Sequence, residues 1–272
     1  MSVSIIDPTI IMGGVGLSCG ILLGVAARFL AVRMHPRIEA LTALLPGVNC
    51  GACGHPGCSE YARALILDGA KVNLCKPGGP ETMHQIAVFL GVEPVAMERQ
   101  VALVLCGGDD KTAIRKFYYN GIADCAAAAL VGGGDKACSY GCLGLGSCAR
   151  ICPTNAIEIT RARLAVVHPE LCIGCGQCVN ACPKNLIRLV PESRTIHVLC
   201  RSKDRGNVVK KNCSVGCIGC TLCTKVASNA IKMDGTLAVV DYDKPLDNEE
   251  IIAKCPQGTI VKRPGRKAEA AA

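Results

Sequence analysis

The chain has 272 residues, enough for two or three small domains, yet it contains no Trp, three Phe, five Tyr and 21 Cys. A chain so poor in large core side chains must draw much of its folding energy from bonds between cysteine and metal, so the metal-free protein should be poorly folded. The formal net charge of +8 would suggest a nucleic-acid partner. No such partner is expected, because no basic stretch is interleaved with aromatic residues that stack on bases.

The N-terminal segment is uncharged over residues 8–27, between Asp7 and Arg28. This length predicts one transmembrane helix. A cleaved signal peptide is the alternative, but it requires a basic N-terminal region, and Asp7 is the only charge there. Because Arg28, Arg33 and Arg37 follow the span, the positive-inside rule predicts that the N-terminus lies outside and all later residues lie in the cytoplasm.

The predicted span carries small residues at every fourth position, Gly16, Gly20 and Gly24. This stripe favours close contact with a helix of another subunit, although glycine is common in membrane helices in any case. Cys19 lies alone in the same span. It is expected to be an apolar filler and not a ligand.

The first group of cysteines after the span lies in and beyond a glycine-rich loop. Three thiols in such a loop, with a fourth after a helix predicted at 59–68, can enclose one [4Fe-4S] cluster, and the glycines let backbone N–H groups approach the sulfurs. His55 is expected to face solvent, because four thiols complete the ligand set. Helices are also predicted at 37–45 and 80–91. The four cysteines are Cys50, Cys53, Cys58 and Cys75.

The next segment has the weakest pattern in the chain. A short strand is predicted at 100–105 and a helix at 126–130. Its Gly-Gly-Gly-Asp-Lys sequence is not a phosphate-binding loop, because Ala137 stands where Ser or Thr is required. Cys106 and Cys125 have no obvious partners in this segment.

Two cysteine runs follow and form the strongest motif. The second run reads C-x2-C-x2-C-x3-C-P, which is typical of bacterial two-cluster ferredoxins, where three thiolates hold one cubane and the fourth ligates the neighbouring one. The first run has Leu145 in place of its middle cysteine, and Cys138 is the expected substitute. The crossed assignment predicts one cluster on Cys138, Cys142, Cys148 and Cys182, and another on Cys172, Cys175, Cys178 and Cys152.

Two other kinds of site use paired cysteines. A zinc knuckle has no use for a third thiol two residues further on, or for a fourth donated across the pair. Disulfides are disfavoured by the predicted cytoplasmic location. A zinc-rich binding module therefore remains the alternative that iron analysis would exclude.

The pattern repeats further along the chain, but only half of it carries cysteines. Cys255-Pro256 repeats Cys182-Pro183. The positions that match the ligands of the Cys172 cluster hold Ala227, Pro245, Asn248 and Ile251. The absence of all four ligands together supports the crossed assignment. The other set is intact and predicts one cluster on Cys217, Cys220, Cys223 and Cys255.

Without Cys19 and the sixteen assigned ligands, four of the 21 cysteines remain: Cys106, Cys125, Cys200 and Cys213. They could hold a fifth cubane if the segment before the first ferredoxin unit folds back onto the linker between the two units. Alternatively, Cys213 is a redundant thiol beside the Cys217 cluster, and the other three are small buried hydrophobes. Four or five oxidised clusters, each bringing roughly −2 with its thiolates, would offset the formal positive charge.

The chain resembles the B subunit of the Rnf complexes, the membrane-bound ion-translocating ferredoxin:NAD oxidoreductases. The resemblance rests on a single N-terminal span, the Cys-Gly-Ala-Cys-Gly-His-Pro-Gly-Cys loop at 50–58 with distal Cys75, and downstream ferredoxin repeats. It implies an α+β protein with a small helical 4Fe-4S domain and tandem bacterial-ferredoxin-like modules. The expected parts are a transmembrane anchor at 1–33, the helical 4Fe-4S domain at 34–95, a connecting region at 96–135, a two-cluster ferredoxin-like domain at 136–192, a second with one site lost at 193–263, and a disordered tail at 264–272.

The resemblance further implies an electron-carrying subunit of the bacterial cytoplasmic membrane, which accepts electrons from reduced ferredoxin and passes them to membrane-embedded subunits. No nucleotide-binding glycine pattern and no Cys/His or Ser/His nucleophile arrangement is found, so no complete active site is expected on this chain alone. Its span has no charged residue, so ion translocation is expected in partner subunits. The alternative is an accessory ferredoxin subunit of another redox complex, or of a system that reduces a redox-sensing regulator.

A basic rim is the expected docking surface for ferredoxin. Charged rims steer association in a salt-dependent way. An ordinary solvated face is the alternative, because charge runs usually are that. The rim consists of Lys203, Arg205, Lys210 and Lys211.

Overall fold

The computed structural model describes residues 6–30, 35–94 and 98–263. Its first element is the long helix α1 (Ile6–Phe29). Within it, Ile10–Phe29 has a mean hydropathy of 2.1, and none of this window is buried against the rest of the protein. A helix of this length and composition can cross the roughly 30 Å hydrocarbon core of a bilayer. The predicted basic residue Arg33 and the tail predicted at 264–272 lie outside the described residues.

Three helices, α2 (Pro36–Leu44), α3 (Cys58–Leu67) and α4 (Gly79–Leu90), form a small N-terminal unit close to where helices were predicted. Tyr61 is buried at its centre, and its hydroxyl donates to the Lys71 carbonyl at 2.7 Å. This bond fixes the path of the chain towards Cys75. Helix α4 ends at Gly91, whose φ of +70° is in the left-handed region that glycine adopts without strain.

The remaining described residues form short strands and helices in an α+β arrangement. The strands make four two-stranded antiparallel sheets. These are β1 (Gln100–Val104) with β4 (Ile187–Pro191), β2 (Ile157–Ile159) with β3 (Ala165–Val167), β5 (Ile196–Val198) with β8 (Ile260–Lys262), and β6 (Ile231–Asp234) with β7 (Leu237–Val240). The helices are α5 (Cys125–Leu130), α6 (Ser147–Arg150), α7 (Gln177–Ala181), α8 (Gly206–Asn212), α9 (Leu222–Val226) and α10 (Glu250–Ala253).

The elements repeat in one order. The first half runs β1, α6, β2, β3, α7, β4, with α5 inserted after β1, and the second runs β5, α9, β6, β7, α10, β8, with α8 inserted after β5. In each half the first strand pairs with the last, and the middle two form a hairpin. One hydrophobic core passes through both halves. The strand predicted at 100–105 is β1, and it belongs to the sheet of the first half.

Candidate metal centre

Two of the four cysteines of the N-terminal unit lie in the loop before α3, one is the first residue of α3, and the fourth lies on the segment that follows it. The N–H of Cys58 donates to the side-chain oxygen of Asn49 at 2.8 Å, which closes the loop onto the helix. Burial raises the pKa of Cys75, and negative charge on the other three thiols adds to the shift. The His55 ring packs against Tyr61, with centroids 5.5 Å apart. The members of this set are Cys50, Cys53, Cys58 and Cys75.

A second set joins the second cysteine run to the last cysteine of the first run. Burial raises the pKa of Cys178 to about 12, and the other thiols of the set add to the shift. Ala102 of β1 donates its N–H to Cys172 Sγ at 3.4 Å, and Ala156 donates to Cys152 Sγ at 3.3 Å. Backbone N–H groups that point at sulfur stabilise negative charge there. The members are Cys152, Cys172, Cys175 and Cys178.

A third set is positioned by α5 and α6. Asp124 caps α5 and accepts a hydrogen bond from the Ser147 hydroxyl at 2.7 Å, while the N–H of Cys125 donates to Ser147 Oγ at 2.8 Å. Burial raises the pKa of Cys148 to about 12, and the thiols that add to the shift are the other three members. All four line one apolar cavity: Cys125, Cys142, Cys148 and Cys182. The sequence placed Cys138 in this set, whereas the structure places Cys125 there.

Cys138 lies in a different cavity, at the junction of the two halves. Burial raises the pKa of Cys106 to about 12 and that of Cys200 to about 11. Three of the four cysteines that the sequence left unassigned line this cavity together. The fourth thiol in the cavity is Cys138, whereas the sequence had grouped Cys125 with the three. The thiols that line this cavity are Cys106, Cys138, Cys200 and Cys213, with Leu105, Leu199 and Val209 among its apolar walls.

The last set belongs to the second half and matches the expected grouping. Burial raises the pKa of Cys223, with neighbouring Cys217 and Cys220 adding to the shift. Cys220 is exposed, so this set reaches the protein surface. The four that line one cavity are Cys217, Cys220, Cys223 and Cys255.

Apolar side chains occupy two of the four positions where the repeat has lost its cysteines, and the other two, Pro245 and Asn248, are exposed. Ala227 and Ile251 are buried, 5% and 0% exposed, in the same core as Tyr242 and Leu246. Protein interiors packed in this way leave no voids of the size of a metal cluster. The second half therefore keeps one thiol set where the first half has two.

The thiols of three sets line cavities, which are those of the third set, the junction and the last set. Among the residues that the structure describes, no group of three or more His, Cys, Asp or Glu side chains could hold a single metal ion. A tetrahedral zinc ion would draw four sulfurs to about 2.3 Å from one centre, whereas a cubane binds each thiolate through a different iron. All 21 cysteines are free. The all-thiol sets fit [4Fe-4S] clusters, and in the second set, the third set and the junction cavity backbone N–H groups are directed at sulfur.

Adjacent sets lie close to one another, beginning at the N-terminal unit. Burial raises the pKa of Cys175. Among the charged groups that add to this shift, Cys50 of the N-terminal set contributes most. In the same way, Cys148 of the third set adds to the raised pKa of Cys178. The second set thus lies between the N-terminal set and the third.

The same continuity extends into the second half. The N–H of Cys142 donates to Cys106 Sγ at 3.4 Å, which brings the third set against the junction cavity. On the other side of that cavity, Cys217 lies close enough to Cys200 for its thiol to add to the raised pKa of Cys200. The five thiol sets therefore follow one another in single file.

Two charged side chains are buried beside these sets. Lys136 is 1% exposed and donates to the Gly108 carbonyl at 2.8 Å. Burial raises the pKa of Cys106, and the positive charge of Lys136 partly offsets this increase. Asp135 is also 1% exposed and pairs with Arg163 at 2.8 Å. The positive charge of Lys136 thus lies next to thiols that carry negative charge when they bind metal.

Comparisons with known proteins agree with this chemistry. An Fe-S cluster family model matches residues 45–77, and a 4Fe-4S binding domain model matches residues 165–188. The chain is 39% identical over 264 residues to the B subunit of the ion-translocating oxidoreductase complex of Methanosarcina acetivorans, covering 97% of this chain and 100% of that protein.

Two further relatives carry more specific names. Identity is 41% over 255 residues to the B subunit of the proton-translocating ferredoxin:NAD(+) oxidoreductase complex of Clostridium ljungdahlii, covering 92% of this chain and 90% of that protein. Identity is 39% over 258 residues to the B subunit of the Na(+)-translocating ferredoxin:NAD(+) oxidoreductase complex of Acetobacterium woodii, covering 94% of this chain and 78% of that protein. The resemblance seen in the sequence is confirmed: the chain belongs to the family of B subunits of ion-translocating oxidoreductase (Rnf) complexes.

Proposed function

We propose that this chain is the electron-transfer subunit of an ion-translocating ferredoxin:NAD oxidoreductase and carries [4Fe-4S] clusters on its thiol sets. The observation that supports the proposal most directly is the single-file succession of thiol sets from the N-terminal unit into the second half. A cluster bound at such a site accepts and releases one electron. The chain itself holds the thiol sets next to one another and buries most of the thiols away from water. It also directs N–H groups at sulfur, which adjusts the reduction potentials of the clusters.

Four cluster sites belong to this function. The N-terminal unit holds one, the first half two and the second half one. In one site of the first half, Cys125 supplies the ligand that the sequence assigned to Cys138. The four ligand sets are Cys50, Cys53, Cys58 and Cys75; Cys152, Cys172, Cys175 and Cys178; Cys125, Cys142, Cys148 and Cys182; and Cys217, Cys220, Cys223 and Cys255.

The two halves are tandem ferredoxin-like modules in this proposal. Their repeated element order supports it. So does the crossing of ligands, because Cys152 follows α6 yet lies with the thiols around α7, while Cys182 follows α7 yet lies with those around α6. The first module begins at β1 and not at residue 136, because β1 completes its sheet.

Electrons enter from reduced ferredoxin and leave towards other subunits of the complex, including membrane-embedded ones. The relatives from Clostridium ljungdahlii and Acetobacterium woodii are named for ferredoxin and NAD(+). Helix α1 anchors the chain, and Arg28 in its last turn, followed by Arg37, supports an outside N-terminus with cytoplasmic cluster domains. Ions cross in partner subunits, because residues 8–27 contain no charged side chain.

Membranes that contain the whole complex test the proposal. Cys178→Ser and Cys148→Ser should each abolish most ferredoxin-dependent NAD(+) reduction while NADH-dependent reduction of an artificial acceptor by partner subunits continues. Cys19→Ser in α1 is the matched control and should leave both rates unchanged. Full ferredoxin-dependent activity in the Cys178 and Cys148 variants would show that electrons do not pass through this chain.

A further inference from the structure

We propose that Cys106, Cys138, Cys200 and Cys213 bind one further [4Fe-4S] cluster, which joins the two ferredoxin-like modules. The matched family models cover 45–77 and 165–188, so they leave all four residues unassigned. The site rests on the iron–sulfur chemistry proposed above. It adds a centre that neither module provides alone.

The internal repeat makes Cys106 and Cys200 equivalent. Val-Leu-Cys occurs at 104–106 as β1 ends and again at 198–200 as β5 ends. In both places the leucine N–H donates to a carbonyl just before the last strand of the module, Leu186 at 2.7 Å and Thr259 at 2.9 Å. The two thiols therefore leave their sheets at the same point of the fold.

The other two ligands are an equivalent pair as well. Cys138 stands four residues before Cys142, and Cys213 stands four residues before Cys217. In the second half the Cys217 set is complete without Cys213. By the repeat, Cys138 is likewise outside the regular set of its own module. The four ligands are thus two symmetry-related pairs, one from each module.

Direct contacts bring the pairs together. A Cβ placed on Gly108 would lie 3.1 Å from Cys213 Sγ and 3.9 Å from Cys106 Sγ, so both thiols border the same gap. The Gly107 N–H donates to the Leu199 carbonyl at 3.0 Å, which ties the loop after β1 to the end of β5. Thiols that are far apart in sequence therefore face one cavity.

The segment between Cys106 and Cys138 closes another side of this cavity. Its backbone forms bridges on two sides, from Ala113 to Cys213 and from Arg115 to Lys136. This arrangement carries Cys138, two residues after Lys136, to the same cavity as Cys213. The pKa of Cys138 is raised by burial, with Cys213 among the contributing charges.

The cavity has the features expected of a cluster site. Its other walls include apolar Leu105, Leu199 and Val209. Ser202 donates its N–H to Cys200 Sγ at 3.4 Å, as Cys142 does to Cys106 Sγ. Such bonds stabilise sulfur that carries negative charge, which a thiol acting as an apolar filler does not need.

The position of the site connects the modules. One side touches the third set through the Cys142 N–H, and the other touches the last set through Cys217. The site therefore lies between the third set of the first half and the single thiol set of the second half. An electron accepted by this cluster from one side can leave on the other, so the cluster returns to its starting state.

Anaerobically purified full-length protein in detergent tests the site by iron analysis and electron paramagnetic resonance. Five cubanes require about 20 iron atoms per chain, and Cys106→Ala together with Cys200→Ala should reduce this to about 16. If the alanine variants fail to fold, single serine variants provide a second test of the site. Cys138→Ser and Cys213→Ser should alter one and the same spectral component, while Cys125→Ser alters the component that Cys148→Ser alters. Cys19→Ser is the control and changes nothing.

Two results would overturn the site. One is a wild-type content of about 16 iron atoms that Cys106→Ala with Cys200→Ala leaves unchanged, which removes the fifth cluster but keeps the other four. The other is a Cys138→Ser spectrum that matches Cys148→Ser and not Cys213→Ser, which assigns Cys138 to the regular run. A protein without cluster iron would instead contradict the proposed function as a whole.

Discussion

At the residue scale, Cys152 tests the crossed ligation. In sequence it is next to Arg150 and Cys148, yet its thiol contributes to the raised pKa of Cys178 and Cys175 in the second set. We expect Cys152→Ala to remove the spectral component that Cys178→Ala removes, because both residues ligate one cluster. Electron paramagnetic resonance of the reduced protein measures this. Loss of the Cys148 component in its place would refute the crossed pairing.

Lys136 is the second residue with a defined expectation. Its ammonium group is buried between the Cys106 and Cys142 sets. A reduced cluster carries one more negative charge than an oxidised one, so a nearby positive charge favours reduction. Lys136→Met should therefore lower the midpoint potential of an adjacent cluster by on the order of tens of millivolts. Redox titration measures the shift, with exposed Lys232→Met as control, and equal potentials in both variants would argue against this role.

Leu145 shows where prediction from the sequence stopped. It occupies the place of a middle cysteine, so one ligand had to come from elsewhere, and spacing favoured Cys138. The actual neighbour, Cys125, is brought in by the Asp124 cap and the Ser147 hydrogen bonds. These contacts join residues more than twenty positions apart and leave no periodic pattern. The repeated Val-Leu-Cys was the one signal that could have separated Cys106 and Cys200 from Cys125.

At the scale of elements, α8 presents most of the basic rim. Arg205, Lys210 and Lys211 are exposed there, whereas Lys203 is paired with Asp234 at 2.8 Å. Reversing the first three charges to Glu should slow reduction by ferredoxin and weaken its salt dependence, because steering needs opposite charges. Stopped-flow reduction at low and high salt measures both effects. Unchanged rates at both salt concentrations would exclude docking at this rim.

Strand β5 carries a buried histidine with a pH-dependent contribution to stability. Burial lowers the pKa of His197 from 6.5 to about 4, and its ring nitrogen lies 3.0 Å from the Tyr242 hydroxyl. Below pH 6.5 the unfolded chain binds a proton that the folded chain refuses until about pH 4, so the free energy of unfolding falls in that window, by roughly 2 kcal/mol at pH 5.

His197→Gln isolates this effect, because glutamine keeps a polar partner for Tyr242 and does not titrate. The urea midpoint for loss of visible cluster absorbance should fall less between pH 7 and pH 5 in the variant than in the wild type. Equal falls in the two proteins would place the pH dependence elsewhere.

The elements themselves were predictable to different degrees. Helices α2, α3 and α4 follow from apolar spacing together with proline and glycine boundaries, which are local signals. The pairing of β1 with β4 joins residues about ninety positions apart, from Gln100 with Pro191 to Val104 with Ile187. No local pattern carries that information, so the strand was predicted and its pairing partner was not.

In the molecule as a whole, one core spans both halves and contains thiols of the sets in these halves, while the N-terminal unit has a core of its own. The buried hydrophobic residues of the two halves form a single cluster that includes cysteines from several sets. Metal-ligand bonds and apolar packing would therefore stabilise the same structure, and removal of iron should loosen the two halves together. Clusters that each bring roughly −2 with their thiolates would offset the formal charge of +8, so this charge gives no argument for a nucleic-acid partner.

In the proposed function, this chain takes electrons from ferredoxin onto its own clusters. The most direct measurement mixes the anaerobic, full-length protein with reduced ferredoxin and follows the visible absorbance of the chain. We expect a brown protein that bleaches on mixing, with an uptake of up to about one electron per cluster. A colourless chain that contains zinc, or a brown chain that reduced ferredoxin leaves unbleached, would contradict it.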